Sequence, residues 1–290
     1  MTKSKTTSVV DRQPDGTIKI TITLPLAEVQ QVSEEVVTHM AKNVKVPGFR
    51  EGKAPQDRAA QALNPEHVRE DVLKKLLPPA YMEAIQEHNI KPIMNPKMHI
   101  EEVEPDKDWV FAALTCELPT IELGAYKKEV QKINSENKSK ASKEDKDEKN
   151  PSASSGQKPA LDDIVKAVLT TAKVQVPQIL VEQETDRLLS QLLNDIKRLG
   201  LSLEQYLGST KRTPDDLRGE YAKRAEEDIK LEFVLQKIAE TEKVTVDEKE
   251  IEEAIQKAKD PAEKQNLEAN RYLLAGILRQ QKTLDFLMNL

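Results

Sequence analysis

From Asn134 to Pro159 the chain has no Val, Ile, Leu, Met or aromatic residue; Ser, Lys, Glu, Asp and Asn dominate, with six Lys against five acids. Such a stretch lacks the apolar surface needed to offset its ordering entropy. It reads as a flexible linker, so any core must be built separately on its two sides. A length of 290 residues accommodates two such bodies. The expected division is a domain over 1–124, a linker over 125–159 and a second domain over 160–290. Charged residues make up 32% of the chain and aromatics 3%, with only 9 Gly, a balance that favours helices over turn-rich sheets.

The first half mixes strand and helix. Between Thr17 and Leu24 apolar Ile18, Ile20, Ile22 and Leu24 alternate with Thr17, Lys19, Thr21 and Thr23, the pattern of a half-buried strand. Val29, Val32, Val36 and Met40 then recur at helical spacing. Asn64-Pro65 supplies an N-cap and first-turn pair for a longer helix. Pro78-Pro79 should kink or break that helix near its middle. Two more strands are expected at Lys97–Val103 and Trp109–Leu118, joined by a turn at Glu104-Pro105-Asp106. The fold class is thus α+β for this half, a small antiparallel sheet with helices.

The second half reads as helix throughout. Pro177 can open a helix carrying Leu180, Leu188, Leu192 and Ile196, and Gly200 can end it. Ser202 and Gln205 have capping-box spacing, Thr213-Pro214 starts a long helix to about Glu242, and Asp247 with Glu250 starts the next. Asp260-Pro261 opens another, and Arg271 to Leu290 is amphipathic. This half is expected to be an all-α domain.

Between Lys42 and Arg58 five basic residues (Lys42, Lys45, Arg50, Lys53, Arg58) face two acids, a local charge of +3 in a chain of net −6. The net charge excludes a general polyanion binder, so contact with RNA must come from a local patch. Gly48 and Gly52 permit turns closed to other residues, and Pro47 and Pro55 stiffen the stems. Phe49 can anchor in an apolar pocket, Arg50 can grip phosphate or carboxylate in a fork, and Lys53 adds a point charge. The Gly-Phe-Arg triplet alone also fits a solvated loop whose Phe49 folds back on the core.

Other chemistry finds no constellation. The four histidines (His39, His67, His88, His99) are scattered, with no partners at metal-ligand spacing. Cys116, the one cysteine, falls in an expected strand and reads as a buried thiol. There is no phosphate loop or nucleophile elbow. No cofactor, metal or catalytic residue is expected. The N-terminus has no apolar core of about 7–15 residues, and no apolar run approaches the ~20 residues of a membrane span. A single cysteine and no leader imply the cytoplasm and no membrane partner.

The run Val46-Pro47-Gly48-Phe49-Arg50-Glu51-Gly52-Lys53-Ala54-Pro55 resembles the signature loop of the bacterial trigger factor family. Val72-Leu73-Lys74-Lys75-Leu76-Leu77-Pro78 and Lys91-Pro92-Ile93 are similar to that family's ribosome-binding domain, and Leu118 to Gly124 to its exit segment. Val176 to Val181, Gly200 to Leu207 and Leu284-Asp285-Phe286-Leu287 resemble its helical chaperone domain. The resemblance implies an ATP-independent chaperone docked beside the exit tunnel, with the large ribosomal subunit (a tunnel-side protein and nearby RNA) and nascent or unfolded polypeptides as partners. It assigns ribosome binding to Gly48, Phe49, Arg50, Gly52 and Lys53, with Lys42, Lys45 and Arg58 as auxiliary cations. Client binding is expected at Leu274, Ile277, Leu278, Phe286, Leu287 and Met288, although core packing competes for each of these. Homodimerisation away from the ribosome stays open. The family's FKBP-like prolyl isomerase domain needs on the order of 80–100 residues, and 125–160 cannot supply it. Rival readings are a prolyl isomerase acting on nascent chains and a ribosome-free chaperone or assembly factor.

Overall fold

The computed structural model describes residues 6–42, 58, 62–104, 106–144, 157–258 and 260–290. The chain divides into two compact units, Met1–Leu118 with Pro177–Ile179, and Pro119–Val176 with Leu180–Leu290.

In the first unit, β1 (Thr7–Arg12), β2 (Thr17–Leu24), β3 (Lys97–Glu102) and β4 (Trp109–Cys116) form an antiparallel sheet in the order β1-β2-β4-β3. Helix α1 (Leu26–Ala41) and helix α2 (Pro65–Glu87) pack on it. The alternation in β2 orients the sheet. Ile20, Ile22 and Leu24 are 0% exposed and stand opposite Ala113, Phe111 and Trp109 of β4. Val29 and Val36 of α1, and Val72, Leu76, Ala80 and Ala84 of α2, close over that row. Trp109 meets Phe111 edge-on at 6.4 Å and donates its indole N–H to the Glu104 carbonyl. A distant residue caps α1: the Leu26 N–H donates to Asp108 Oδ1 at 2.8 Å.

Two features depart from expectation here. Strand β1 arises in a stretch too polar to announce itself. It needs only one apolar face, Val10 against Ile20, and a turn in which Asp15 accepts from the Thr17 N–H and hydroxyl while Gly16 sits at φ +84°. Helix α2 also runs through Pro78-Pro79 without a break. Both prolines are exposed, as are Lys74 and Lys75, whose carbonyls lose their helical donors, so water can satisfy them. The buried row Val72, Leu76, Ala80 and Ala84 holds the helix through the interruption.

The second unit contains a two-stranded ribbon, β5 (Ile121–Glu122) with β6 (Lys173–Val174), and eight helices among the described residues. These are α3 (Tyr126–Glu144), α4 (Gln157–Thr171), α5 (Gln178–Arg198), which starts in the first unit, α6 (Leu203–Thr210), α7 (Pro214–Thr241), α8 (Glu248–Lys257), α9 (Pro261–Ala269) and α10 (Arg271–Met288). The two-residue strands of the ribbon are a small addition to the helical half that was expected. Within the stretch expected as a linker, 125–159, α3 extends to Glu144 and α4 begins at Gln157. Composition misled because the first turns of α3 carry packing residues ahead of the polar run. Tyr126 and Val130 are buried with Ile164, Val168, Val234, Ile238 and Leu287, and the buried Asn134 donates its amide to the Leu287 carbonyl at 2.9 Å. Tyr126 donates to one oxygen of Glu242, and Lys127 to the other at 2.8 Å. Those bonds, from Lys127 first and then Tyr126, hold the Glu242 carboxyl below its ordinary range.

Local rules set the helix ends. Ser202 with Gln205 and Thr213 with Asp216 form capping boxes. Asn64 and Asp260 accept from the second N–H beyond them. At Gly200, φ +74°, the Leu201 N–H donates to Ile196 O and the Gly200 N–H to Lys197 O, a Schellman closure of α5. Gly124, φ +60°, is tighter, since a Cβ there would stand 2.6 Å from the Thr171 carbonyl oxygen.

Asn134→Ala should lower unfolding free energy by about 1–3 kcal/mol in denaturant titration, because it strands a buried carbonyl; an unchanged midpoint would mean α3 is not packed there. Glu242→Gln should reduce the melting temperature at neutral pH. A carboxyl held below its unfolded pKa stabilises above that pKa, and the benefit disappears as pH falls through the folded value. The gap between the two proteins should therefore narrow below about pH 4.

Candidate functional site

The expected docking residues Lys45, Gly48, Phe49, Arg50, Gly52 and Lys53 lie outside the described residues. The flanking Lys42 and Arg58 are exposed. Lys42 follows α1, and α2 begins at Pro65, so the segment joins the two helices that cover the sheet.

In the second unit a partly open, largely apolar groove of about 710 Å³ lies between α7 and α10. Leu235 and Ala239 of α7 form one wall, and Val244 and Val246 extend it. Tyr272, Leu273 and Ile277 of α10 form the other, and they are 91%, 63% and 60% exposed. Gly276 lies between them with nothing within 4 Å of where a Cβ would be, which keeps the groove open. Arg279 Nε donates to the Val244 carbonyl at 3.0 Å and Lys282 Nζ to the Thr245 carbonyl at 2.7 Å, pinning the extended segment beside α10. Glu232, Gln236 and Gln280 give the groove a polar rim. This arrangement can hold apolar side chains of varied shape; it offers few fixed donors or acceptors to select one ligand.

The expected client residues separate on this geometry. Ile277 is on the groove. Leu274, 8% exposed, is buried against Ile251 and Ile255, and Leu287, 1% exposed, is buried in the core around Tyr126 and Val130. Those two take the core packing that competed with client binding at each position. Leu278 is half-buried beside Ile251, while Phe286 and Met288 pack on the Leu287 cluster. The row that carries the exposure is Leu273 and Ile277 with Tyr272, and Tyr272 was not anticipated. Leu273 and Ile277 are four residues apart, as are Leu274 and Leu278, so the two strips are equally apolar in sequence. Which one is buried depends on where α8 packs.

No group of three or more His, Cys, Asp or Glu among the described residues could hold a metal ion. The Cys116 thiol is fully buried, and burial pushes it up to about 11, away from nucleophilic ionisation. No helix of the described residues is long and apolar enough to cross a membrane.

Residues 7–150 match the model of bacterial trigger factor protein, and residues 126–289 match that of its C-terminus. The two matches overlap over 126–150 and leave no span between them for a further domain. The trigger factors of Staphylococcus aureus strains JH9 and Newman are each 36% identical over 108 residues, a stretch covering 37% of this chain and 25% of theirs. The chain thus spans a quarter of the length of the curated relatives it matches. A solved structure described under promiscuous substrate recognition in folding and assembly activities of the trigger factor chaperone aligns over 97% of this chain and 99% of its own, with TM-score 0.62 at 14% identity. That likeness is one of fold.

Replacing Tyr272, Leu273 and Ile277 together with Ser should abolish most binding of an apolar fluorescent dye. Each residue is exposed, so unfolding stability should move by no more than about 0.5 kcal/mol per site.

Proposed function

The chain belongs to the bacterial trigger factor family, and from that membership we propose that it is an ATP-independent chaperone that docks on ribosomes and shields nascent polypeptides. The run Gly48-Phe49-Arg50-Glu51-Gly52-Lys53 carries the reading. It combines an apolar anchor, a forked cation and a point charge in a stretch of local charge +3 within a chain of −6. That combination suits a mixed surface of protein and phosphate, such as the exit-tunnel rim of the large subunit. Lys42, Lys45 and Arg58 add long-range attraction to the RNA. The setting is the cytoplasm, where the ribosomes are.

The groove on α10 supports the second half of the reading. Unfolded chains share no shape, so a holding surface needs exposed, adaptable apolar area more than geometric precision. Tyr272, Leu273 and Ile277 supply it. No nucleotide or cofactor enters the proposal. Nor does prolyl isomerisation, since the matched segments are the family's N- and C-terminal parts and they overlap.

Phe49→Ala, Arg50→Ala and Lys53→Ala combined should remove cosedimentation with large ribosomal subunits. Pelleting of the triple variant at the level of the parent chain would defeat the docking role. Purified protein should suppress aggregation of a denatured client without ATP and should not accelerate a proline-limited refolding phase.

A further inference from the structure

We propose that α8 and α9 form a releasable flap, latched to α10 by ion pairs, whose opening adds apolar surface to the groove. The seam beneath the flap is small. Among the described residues Ile251, Ile255 and Leu274 are its buried members, with Val246, Leu267 and Leu278 around them, and they form a cluster separate from the core around Val130, Val234 and Leu287. Beyond this seam and the Arg279 and Lys282 bonds to the Val244 and Thr245 carbonyls, the attachment is ionic. Arg271 of α10 contacts Glu268 of α9 at 2.6 Å, and Glu248 and Glu252 of α8 at 2.6 and 3.5 Å. Lys282 contacts both oxygens of Glu250 at 2.8 and 2.9 Å.

Two cations thus hold four carboxylates. Without Arg271, Glu248, Glu252 and Glu268 would be left converging on one spot with no counter-charge, so its loss adds repulsion to the loss of attraction. Glu248, Glu252 and Glu268 are exposed and Arg271, Lys282 and Glu250 partly exposed, and pairs within reach of solvent weaken as salt screens them. The larger core is apolar and is not screened. The flap is therefore the part of this unit that should open first, as a local unit, when the ionic latch is weakened.

Opening has a defined consequence. Leu274 and Leu278 lie on α10 directly beside the exposed strip of Leu273 and Ile277. Removing α8 merges the two strips into one apolar face and exposes Ile251 and Ile255 on the departing helix.

Hydrogen exchange on the full chain tests the flap without reference to function. In the double variant Arg271→Gln, Lys282→Gln, protection of amides across Ile251–Ile255 should fall roughly ten-fold, while that across Val234–Ile238 of α7 holds. The unmodified chain should show the same selective loss between low salt and about 1 M NaCl. Protection of α8 that ignores both changes, or that falls only in step with α7, would overturn the proposal. If the double variant unfolds as a whole, the salt series on the unmodified chain decides alone. The link to client capture rests on the chaperone reading, and it has its own readout. Stronger suppression of client aggregation by the opened variant supports a gated holding surface. Selective opening with no gain in suppression supports the flap and removes the groove as the client surface.

Discussion

The pairing of β2 with β4 organises the first unit. Ile18, Ile20, Ile22 and Leu24 project from one face of β2, and β4 places Phe111 and Ala113 beside them. Neither strand could bury that face alone. Both helices of the unit bury their apolar rows on it, Val29 and Val36 from α1 and Val72, Leu76, Ala80 and Ala84 from α2. Because α1 and α2 are held to the same row, the segment between them starts and ends on fixed supports. A binding loop benefits from such support, since a rigid scaffold limits the ordering entropy spent on contact.

The second unit distributes its apolar surface differently. Helix α7 contributes Val234, Leu235 and Ile238 to the cluster with α3 and α4, and Ala225 to a separate cluster with Val181 and Leu188 of α5. A third cluster lies between α8 and α10. Several small cores on long helices leave uneven local stability. They also leave apolar strips such as Leu273 and Ile277 uncovered, because no neighbouring helix is broad enough to cover a whole helix circumference.

Local chemistry was the legible part of this chain. The alternation of Thr17–Leu24 marked a half-buried strand, Asn64-Pro65, Ser202, Thr213 and Asp260 marked helix starts, and Gly200 marked a helix end. Each depends on residues within one or two turns of one another. What was hidden depends on distant partners. Strand β1 is defined by pairing with β2, and α3 is fixed by Asn134 reaching the Leu287 carbonyl. Continuity of α2 through Pro78-Pro79 depends on a buried row facing the sheet.

The same division holds for the candidate site. The sequence by itself determined the family resemblance, the α+β then helical order, the basic run at Gly48–Lys53 and the amphipathic character of Arg271 to Leu290, since composition, spacing and caps are local properties. Tertiary structure decided which apolar strip of α10 faces solvent. Leu274 with Leu278 and Leu273 with Ile277 are chemically alike and one residue apart, and the docking of α8 buries Leu274, half-buries Leu278 and leaves the second pair exposed. Burial is a property of the packed neighbour, and helical spacing carries no information about where that neighbour lies.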